Sequence, residues 1–298
     1  DLSAARQTIL TFADEMMLHL TGELGIFHTQ IAFVGNATGK KEIYLADFDG
    51  SNIRQMTRDH DMNLAPAWAP DGKKISYVGY QRGNPDLYTM DLITKVGEPI
   101  SMRPGLNIAP TYSPKGGTLA ATLSFTGNPE LYLLDARGEI LKQLTINWSI
   151  DVSPSWAPDG QKLAYVSNRA GKPQIYVLDL ATKRSTRLTF EGDYNTSPAW
   201  SPRGDRILYA GLHDGRFDIF MINPDGTELR QLTGGEGNNE NPCWSPDGRL
   251  ILFQSDRRGS PTLWVMQANG MDQRRLRLNL GGSQTEPDWS PPLTRATP

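Results

Sequence analysis

The sequence is poor in the residues that most often carry chemistry. It holds one cysteine, Cys243, and four histidines, His19, His28, His60 and His213, in 298 residues. A lone cysteine cannot close an intrachain disulfide, so cysteine usage leaves the redox compartment open. The histidines share no metal-ligand spacing. No G-x-S-x-G elbow, Walker loop, G-x-G-x-x-G, H-E-x-x-H or C-x-x-C occurs, which leaves no sequence signature of catalysis. An excess of charge is also missing: 30 Lys and Arg face 33 Asp and Glu, for a net charge of −3. Nonspecific nucleic-acid binding needs a basic face to neutralise phosphates, and neither that nor a membrane-surface patch is present. No apolar run approaches the ~18 residues of a membrane-spanning helix. The first 20 residues mix charged and apolar side chains and contain no secretory leader, as expected of a mature or trimmed chain.

What the sequence does have is a period. A Pro-X-aromatic-(Ser/Ala)-Pro segment starts at Pro66, Pro110, Pro154, Pro198 and Pro242, every 44 residues, and a sixth copy at Pro287 comes one residue late. Gly39, Gly83, Gly127, Gly171, Gly215 and Gly259 keep the same spacing, as do Tyr44, Tyr88, Tyr132, Tyr176, Phe220 and Trp264. Strand-like repeats of roughly 40–50 residues are propeller blades. Apolar residues make up only 38%, and the 29 Gly and 21 Pro supply the turns such a fold needs.

One copy reads as one blade. Ser155-Trp156-Ala157 is a short strand between prolines, and Asp159-Gly160 is a hairpin turn. Leu163-Ala164-Tyr165-Val166, Ile175-Tyr176-Val177-Leu178 and Thr186-Arg187-Leu188-Thr189 follow as three further strands. Ile31, Ile75, Leu119, Leu163, Ile207 and Ile251 form one column of the second strand. Phe33, Tyr77, Ala121, Tyr165, Tyr209 and Phe253, two positions on, share its face and read as packing between blades. The first-strand aromatics (Trp68, Tyr112, Trp156, Trp200, Trp244, Trp289) admit two readings, a ligand-stacking ring or a structural wedge, and their regularity favours the wedge. Cys243 falls between two of these columns, where other repeats have Ala67, Thr111, Ser155, Ala199 and Asp288, and reads as a small strand residue rather than a nucleophile.

Ring closure can be counted. The chain enters with second, third and fourth strands (30–34, 42–46, 53–57) and leaves with a first strand alone (286–290), so its two ends complete one blade of six. The blade containing Pro99-Ile100-Ser101-Met102 lacks the usual Leu-Thr ending, and the most irregular outer strand is expected there. Ahead of the ring, Ser3 can cap a helix to about Leu20, with Ile9, Phe12, Ala13, Met16 and Leu20 as an apolar stripe and Gly22 as its stop. Such a helix needs a surface: it lies on the propeller, or it is the remnant of another domain. The expected organisation is all-β: residues 1–29 a short helical segment and junction, 30–292 a six-bladed β-propeller, and 293–298 a tail.

Just before each first strand stands a polar column of Asn63, Asn107, Asp151, Asn195, Asn239 and Gln284. Two roles are open to it. The six could ring one mouth of the channel and bind a partner there, with the turns 81–85 and 168–173 beside them, or they could cap turns by bonding nearby backbone. Asp151, Glu240 and Glu286 come from the same loops, and as hard oxygen ligands they could hold calcium, although solvation at the rim is the simpler reading. Asp47-Phe48-Asp49-Gly50 opens like a calcium loop but lacks the later ligands, and Asn223-Pro224-Asp225-Gly226 at the equivalent place marks it as a blade turn.

Segments such as Ser-Pro-Ala-Trp-Ser-Pro-Arg-Gly at 197–204 and Asn-Pro-Cys-Trp-Ser-Pro-Asp-Gly at 241–248 resemble PD40 propeller repeats. The entry segment, Leu20-Thr21-Gly22-Glu23-Leu24-Gly25-Ile26-Phe27-His28-Thr29-Gln30-Ile31-Ala32-Phe33-Val34, and the ending Pro287-Asp288-Trp289-Ser290-Pro291 are similar to the TolB family of the bacterial Tol–Pal envelope system. That resemblance implies a noncatalytic, monomeric periplasmic adaptor without a cofactor. Its channel mouth would bind the lipoprotein Pal, and TolA would be engaged by an N-terminal segment of a preceding α/β domain. The family's Pal-contacting loops match Leu106-Asn107-Ile108-Ala109 and Ile150-Asp151-Val152-Ser153, which makes Leu106, Ala109, Val152 and Ser153 candidate contacts. Leu106 stands where some members have His. Two other classes compete: the regulatory propeller of a prolyl-oligopeptidase-like hydrolase, and a propeller lyase with a metal at its channel.

Overall fold

A computed structural model of the chain describes residues 2–293, the side chains of Leu2 and Ser3 excepted. The capping role expected of Ser3 and the tail beyond Leu293 lie outside the described residues. Among the described residues, twenty-four strands form six four-stranded antiparallel sheets around a central axis. Blade III shows the pattern, inner to outer: Asp151–Trp156, Lys162–Ser167, Gln174–Asp179 and Ser185–Arg187. Blades I, II, IV and V repeat it over 63–101, 107–143, 194–231 and 239–275. Blade VI takes its inner strand, Gln284–Trp289, from the end of the sequence and its other three, Gln30–Gly35, Glu42–Asp47 and Arg54–Gln55, from the beginning. Ile31 pairs with Trp289 and Gly35 with Gln284, the closure that the repeat count implies.

The alternation of each strand places large side chains between blades. Tyr132, Tyr165, Phe33 and Phe253 are fully buried there, with the Ile and Leu column of the second strands. Trp68, Trp200, Trp244 and Trp289 are buried too and Trp156 is half-buried, and two of the indoles bridge blades: Trp156 Nε1 donates to Thr111 O (3.2 Å) and Trp244 Nε1 to Ala199 O (3.0 Å). The column is thus a wedge. The outer strand of blade I, Gly97–Ser101, is the longest of the six, and its pairing slips one residue between Leu87 and Tyr88. Its expected irregularity takes the form of a bulge in a long strand, and blade II's outer strand slips as well.

Every inner strand carries the same defect. In blade I, Leu64 faces Val78 and Ala67 faces Ser76, so Ala65 and Pro66 together oppose one residue. The residue before the repeat proline is left-handed in all six blades: Ala65, Ala109, Ser153, Ser197, Asn241 and Glu286 have φ between 48° and 55°. A bulge leaves one residue without a ladder partner, and proline has no N–H to lose there, which explains why each copy keeps its proline.

Helix α1 (Leu2–Thr21) ends at Gly22, whose N–H bonds Leu18 O at φ 75°. It docks on the face that carries the first-to-second and third-to-fourth strand turns, and it does so through polar groups. Arg6 pairs with Asp47 (2.9 Å) and Asp49 (3.0 Å), Asp14 accepts from Phe27 N and contacts His28 Nδ1, and Glu23 beyond the helix meets Arg203 and Arg249. The apolar stripe points away. Ile9, Phe12, Met16 and Leu20 are exposed, because the turns beneath the helix offer charge rather than apolar surface.

Candidate functional site at the open face of the propeller

The face opposite the helix is where the inner strands begin and where the second-to-third strand turns lie. The polar column sits here, but not as a ring of contact groups. Asn63, Asn107, Asp151, Asn195, Asn239 and Gln284 are all 0–1% exposed, so none offers its side chain to a partner. They pin loops instead. Asn107 Nδ2 donates to Arg103 O (2.7 Å), Asn195 Nδ2 to Glu191 O (2.8 Å) and Gln284 Nε2 to Gly282 O (2.7 Å). Buried polar groups must find partners, and the loop carbonyls supply them.

In blades I, II, IV and V the column also ties the blade to the one before it. Asn63 Nδ2 reaches Glu42 Oε2 (3.1 Å), Asn195 Nδ2 reaches Gln174 Oε1 (2.9 Å) and Asn239 Nδ2 reaches Asp218 Oδ1 (2.9 Å). These partners lie near the start of the third strands and are themselves bonded by threonines that follow the outer strands, as Thr57 to Glu42 and Thr233 to Asp218. Sequence reasoning missed this second polar column, although Glu42, Asp86, Glu130, Gln174, Asp218 and Thr262 also recur every 44 residues. Asp151 completes the lock with charge: its Oδ2 accepts from Arg169 (2.8 Å) and Asn147 (2.7 Å), and Arg169 also lies over the Tyr176 ring. Burial, with the Asp151 charge nearby, raises the Glu130 carboxyl above its ordinary value despite hydrogen bonds from Thr145 and Asn147.

The accessible part of each inner strand is the pair that follows the buried residue. In blades I to III these pairs are Leu64-Ala65, Ile108-Ala109 and Val152-Ser153; in blades IV to VI they are Thr196-Ser197, Glu240-Asn241 and Thr285-Glu286, all half-buried. Ala109, Val152 and Ser153 thus remain available, as does Leu106. The rim above the first group is apolar: Trp148 is wholly exposed (101%), with Ile146, Ile150 and Phe125 also uncovered. Nothing in the period singles out Trp148, which sits in a loop of variable composition.

The polar half of the ring is internally bonded. Gln254 Oε1 accepts from Asn241 Nδ2 (3.1 Å) and Glu286 N (3.0 Å), its Nε2 donates to Glu240, and Ser197 Oγ meets Asn241 Oδ1 (2.7 Å). Glu286 and Asp288 each accept a backbone N–H from blade I, Ala65 N at 2.7 Å and Trp68 N at 2.7 Å. Burial raises the carboxyls of Glu240 and Glu286 and pushes Asp288 up to about 7.

Asp151 does not join Glu240 and Glu286. Its carboxylate is committed to Arg169 in blade III, whereas the two glutamates lie in blades V and VI, and among the described residues no group of three or more His, Cys, Asp and Glu is placed to hold a metal. The residues suggested for calcium therefore do not fit that ion. Cys243 is buried and its thiol is pushed well up by burial, which disfavours the reactive thiolate. Among the described residues no helix is long and apolar enough to cross a membrane.

Residues 17–293 match the family described as the TolB beta propeller domain, PD40. The Tol-Pal system protein TolB of Geobacter sulfurreducens is 43% identical over 73 residues, 24% of this chain and 17% of that protein. The corresponding protein of Desulfosudis oleivorans is 47% identical over 68 residues, 23% and 16% of the two chains. These alignments span about a sixth of the curated relatives' length. The crystal structure of TolB from Acinetobacter baumannii superimposes with a TM-score of 0.86 at 32% identity, covering 96% of this chain and 72% of that one.

Proposed function

Because the chain belongs to the PD40 family of TolB β-propeller domains, we propose that it is a noncatalytic adaptor of the Tol–Pal cell-envelope system, acting in the periplasm and binding the lipoprotein Pal at its open face. The observation that carries this reading is the apolar sector of that face. Trp148, Ile146, Ile150 and Phe125 stand uncovered beside Leu106, Ile108 and Val152, on loops that a buried polar network holds in place. Exposed aromatic anchors on a rigid base are what protein interfaces use as hot spots. A standard interface needs roughly 800 Å² from each partner, more than the channel mouth alone supplies, so the second-to-third strand turns 81–85 and 168–173 join it. The buried column acts from behind: Asn63, Asn107, Asp151, Asn195, Asn239 and Gln284 shape the loops without touching Pal. TolA engagement belongs, on this reading, to a part of the longer relatives that the present chain does not cover, which is also where a surface for the outward stripe of helix α1 would come from.

The test is binding of purified Pal by calorimetry. Val152→Asp and Trp148→Asp are expected to weaken binding at least ten-fold with little change in melting temperature, while Thr182→Asp on the helix-bearing face leaves binding intact. Equal loss from all three, or none from the first two, would remove the open face as the site.

A further inference from the structure

Five of the six interfaces between blades are built alike. An indole from one inner strand shares a core cluster with apolar side chains of the preceding blade: Trp68 with Ala32 and Leu45, Trp200 with Ala164 and Val177, Trp244 with Leu208 and Met221, Trp289 with Leu252 and Val265, and Trp156 with Ala120. The interface between blades I and II departs at all three positions. Tyr112 replaces the Trp, and Ser76 and Thr89 replace the apolar pair. The changes compensate one another in polarity, since Ser76 Oγ donates to the Tyr112 hydroxyl (2.6 Å) and Thr89 Oγ1 lies 3.2 Å from it. They do not compensate in volume.

Beside this trio opens a cavity of about 490 Å³, on the face that bears the helix and away from the proposed Pal surface. Its walls are Ala69, Pro70, Ile100, Pro114, Leu119 and the Tyr112 ring, with Thr89 and Thr118 as hydroxyl groups. None of the five tryptophans lines any of the described cavities. The rim carries two cations, Lys74 and Lys115, and two anions, Asp71 and Asp135. Asp71 accepts Lys73 N (2.9 Å), and Asp135 accepts Arg137 N (2.8 Å) and Glu139 N (2.9 Å), so the carboxylates serve their own turns and the rim's charges balance. Balanced charge over apolar walls favours a neutral guest. The size lies within the range of small-molecule sites.

We propose that this cavity binds a small, neutral, planar aromatic group of indole size, which enters from outside where the other five interfaces carry their own indole. The ring would lie on the prolines and the Tyr112 face, gaining offset or edge-on aromatic contact, and a ring N–H or hydroxyl would meet Thr89 or Thr118. Such a group arrives either as a free small molecule or as the aromatic side chain of a peptide.

Indole and N-acetyl-tryptophanamide, titrated separately into the whole chain with thermal melting as readout, distinguish the two sources. A saturable rise in melting temperature with indole is expected. A matching rise with N-acetyl-tryptophanamide assigns the site to a side chain, and a rise with indole alone assigns it to a free ligand. The triple variant Ser76→Ala, Thr89→Leu, Tyr112→Trp restores the pattern of the other interfaces, and it should melt higher without ligand and lose the ligand-induced rise. Ala136→Trp, at an exposed position of the rim, covers the entrance and should cut affinity at least ten-fold with its own melting temperature unchanged; it decides the matter alone if the triple variant does not fold. Absence of a saturable rise with either probe, or undiminished binding by Ala136→Trp, overturns the proposal.

Discussion

The two halves of the inner ring share one backbone and differ in chemistry. Each inner strand has the same bulge, the same left-handed residue and the same proline, yet blades I to III present Leu64, Ile108 and Val152 where blades IV to VI present Thr196, Glu240 and Thr285. The first half is left open, and the second is knitted together through Gln254, Asn241 and Glu286. A repeated scaffold can thus hold geometry constant while two side chains per blade decide what each sector can bind. In such a ring, the residues that keep the period serve structure, and the residues that break it within the period carry the individuality.

The comparison holds only while the ring is closed, and the largest expected effect comes from opening it. Deletion of 284–298 removes the inner strand of blade VI and exposes the edge of Gln30–Gly35. Calorimetry should show the main unfolding transition sharply lowered or lost, and an unchanged transition would mean that blade VI does not close the ring.

A smaller effect should distinguish the halves. Arg169→Met leaves Asp151 charged, buried and without its cation, a loss of about 3–5 kcal/mol. Arg257→Met in blade V instead leaves the neutral Asn239 short of one donor, about 1–2 kcal/mol. Urea titrations of the two variants measure the gap, and equal losses would show that charge adds nothing to the lock.

A third effect, visible only as a dependence on pH, concerns the acid seam between blades VI and I. Because burial holds the Asp288 carboxyl at about 7, above the ordinary value of about 3.9, the folded state binds its proton more tightly than the unfolded chain does. This contribution is fully present below pH about 4, falls as pH rises toward about 7 and stays lost above. Asp288→Asn keeps an oxygen for Trp68 N and removes the charge. It should flatten that slope and stabilise the protein at pH 8, each unit of displacement being worth about 1.4 kcal/mol. A steeper slope in the variant would reverse the assignment.

Much of this architecture could be read from spacing. The period gave the blades, the missing first strand gave the closure, and the invariance of Trp68, Trp156, Trp200, Trp244 and Trp289 pointed to a wedge. Burial of the polar column could not be read the same way, because it depends on partners distant in the sequence: Asn239 is hidden by Asp218 of blade IV and Arg257 of its own blade. The left-handed Ala65 and Ala109 were equally invisible, since nothing in alanine announces a positive φ. Helix α1 was legible as a helix, but its orientation follows from Asp47, Asp49, Arg203 and Arg249, scattered over three blades.

The pairing of Ile31 with Trp289 has a kinetic consequence. Blades I to V each fold from a continuous stretch, so their contacts are local and can form as soon as that stretch leaves the ribosome. Blade VI cannot. Its three outer strands are synthesised before the other five blades and must wait, with an unpaired edge, for a strand made after them. The entropy of closing so long a loop grows only logarithmically with its length, but it must be met before the pairing returns anything. During that interval the nascent protein is an open arc with two sticky ends, and a second nascent chain could supply the missing strand as readily as the first. Swapped dimers and chaperone dependence during synthesis are therefore the hazards of this design, and both disappear once the final strand docks.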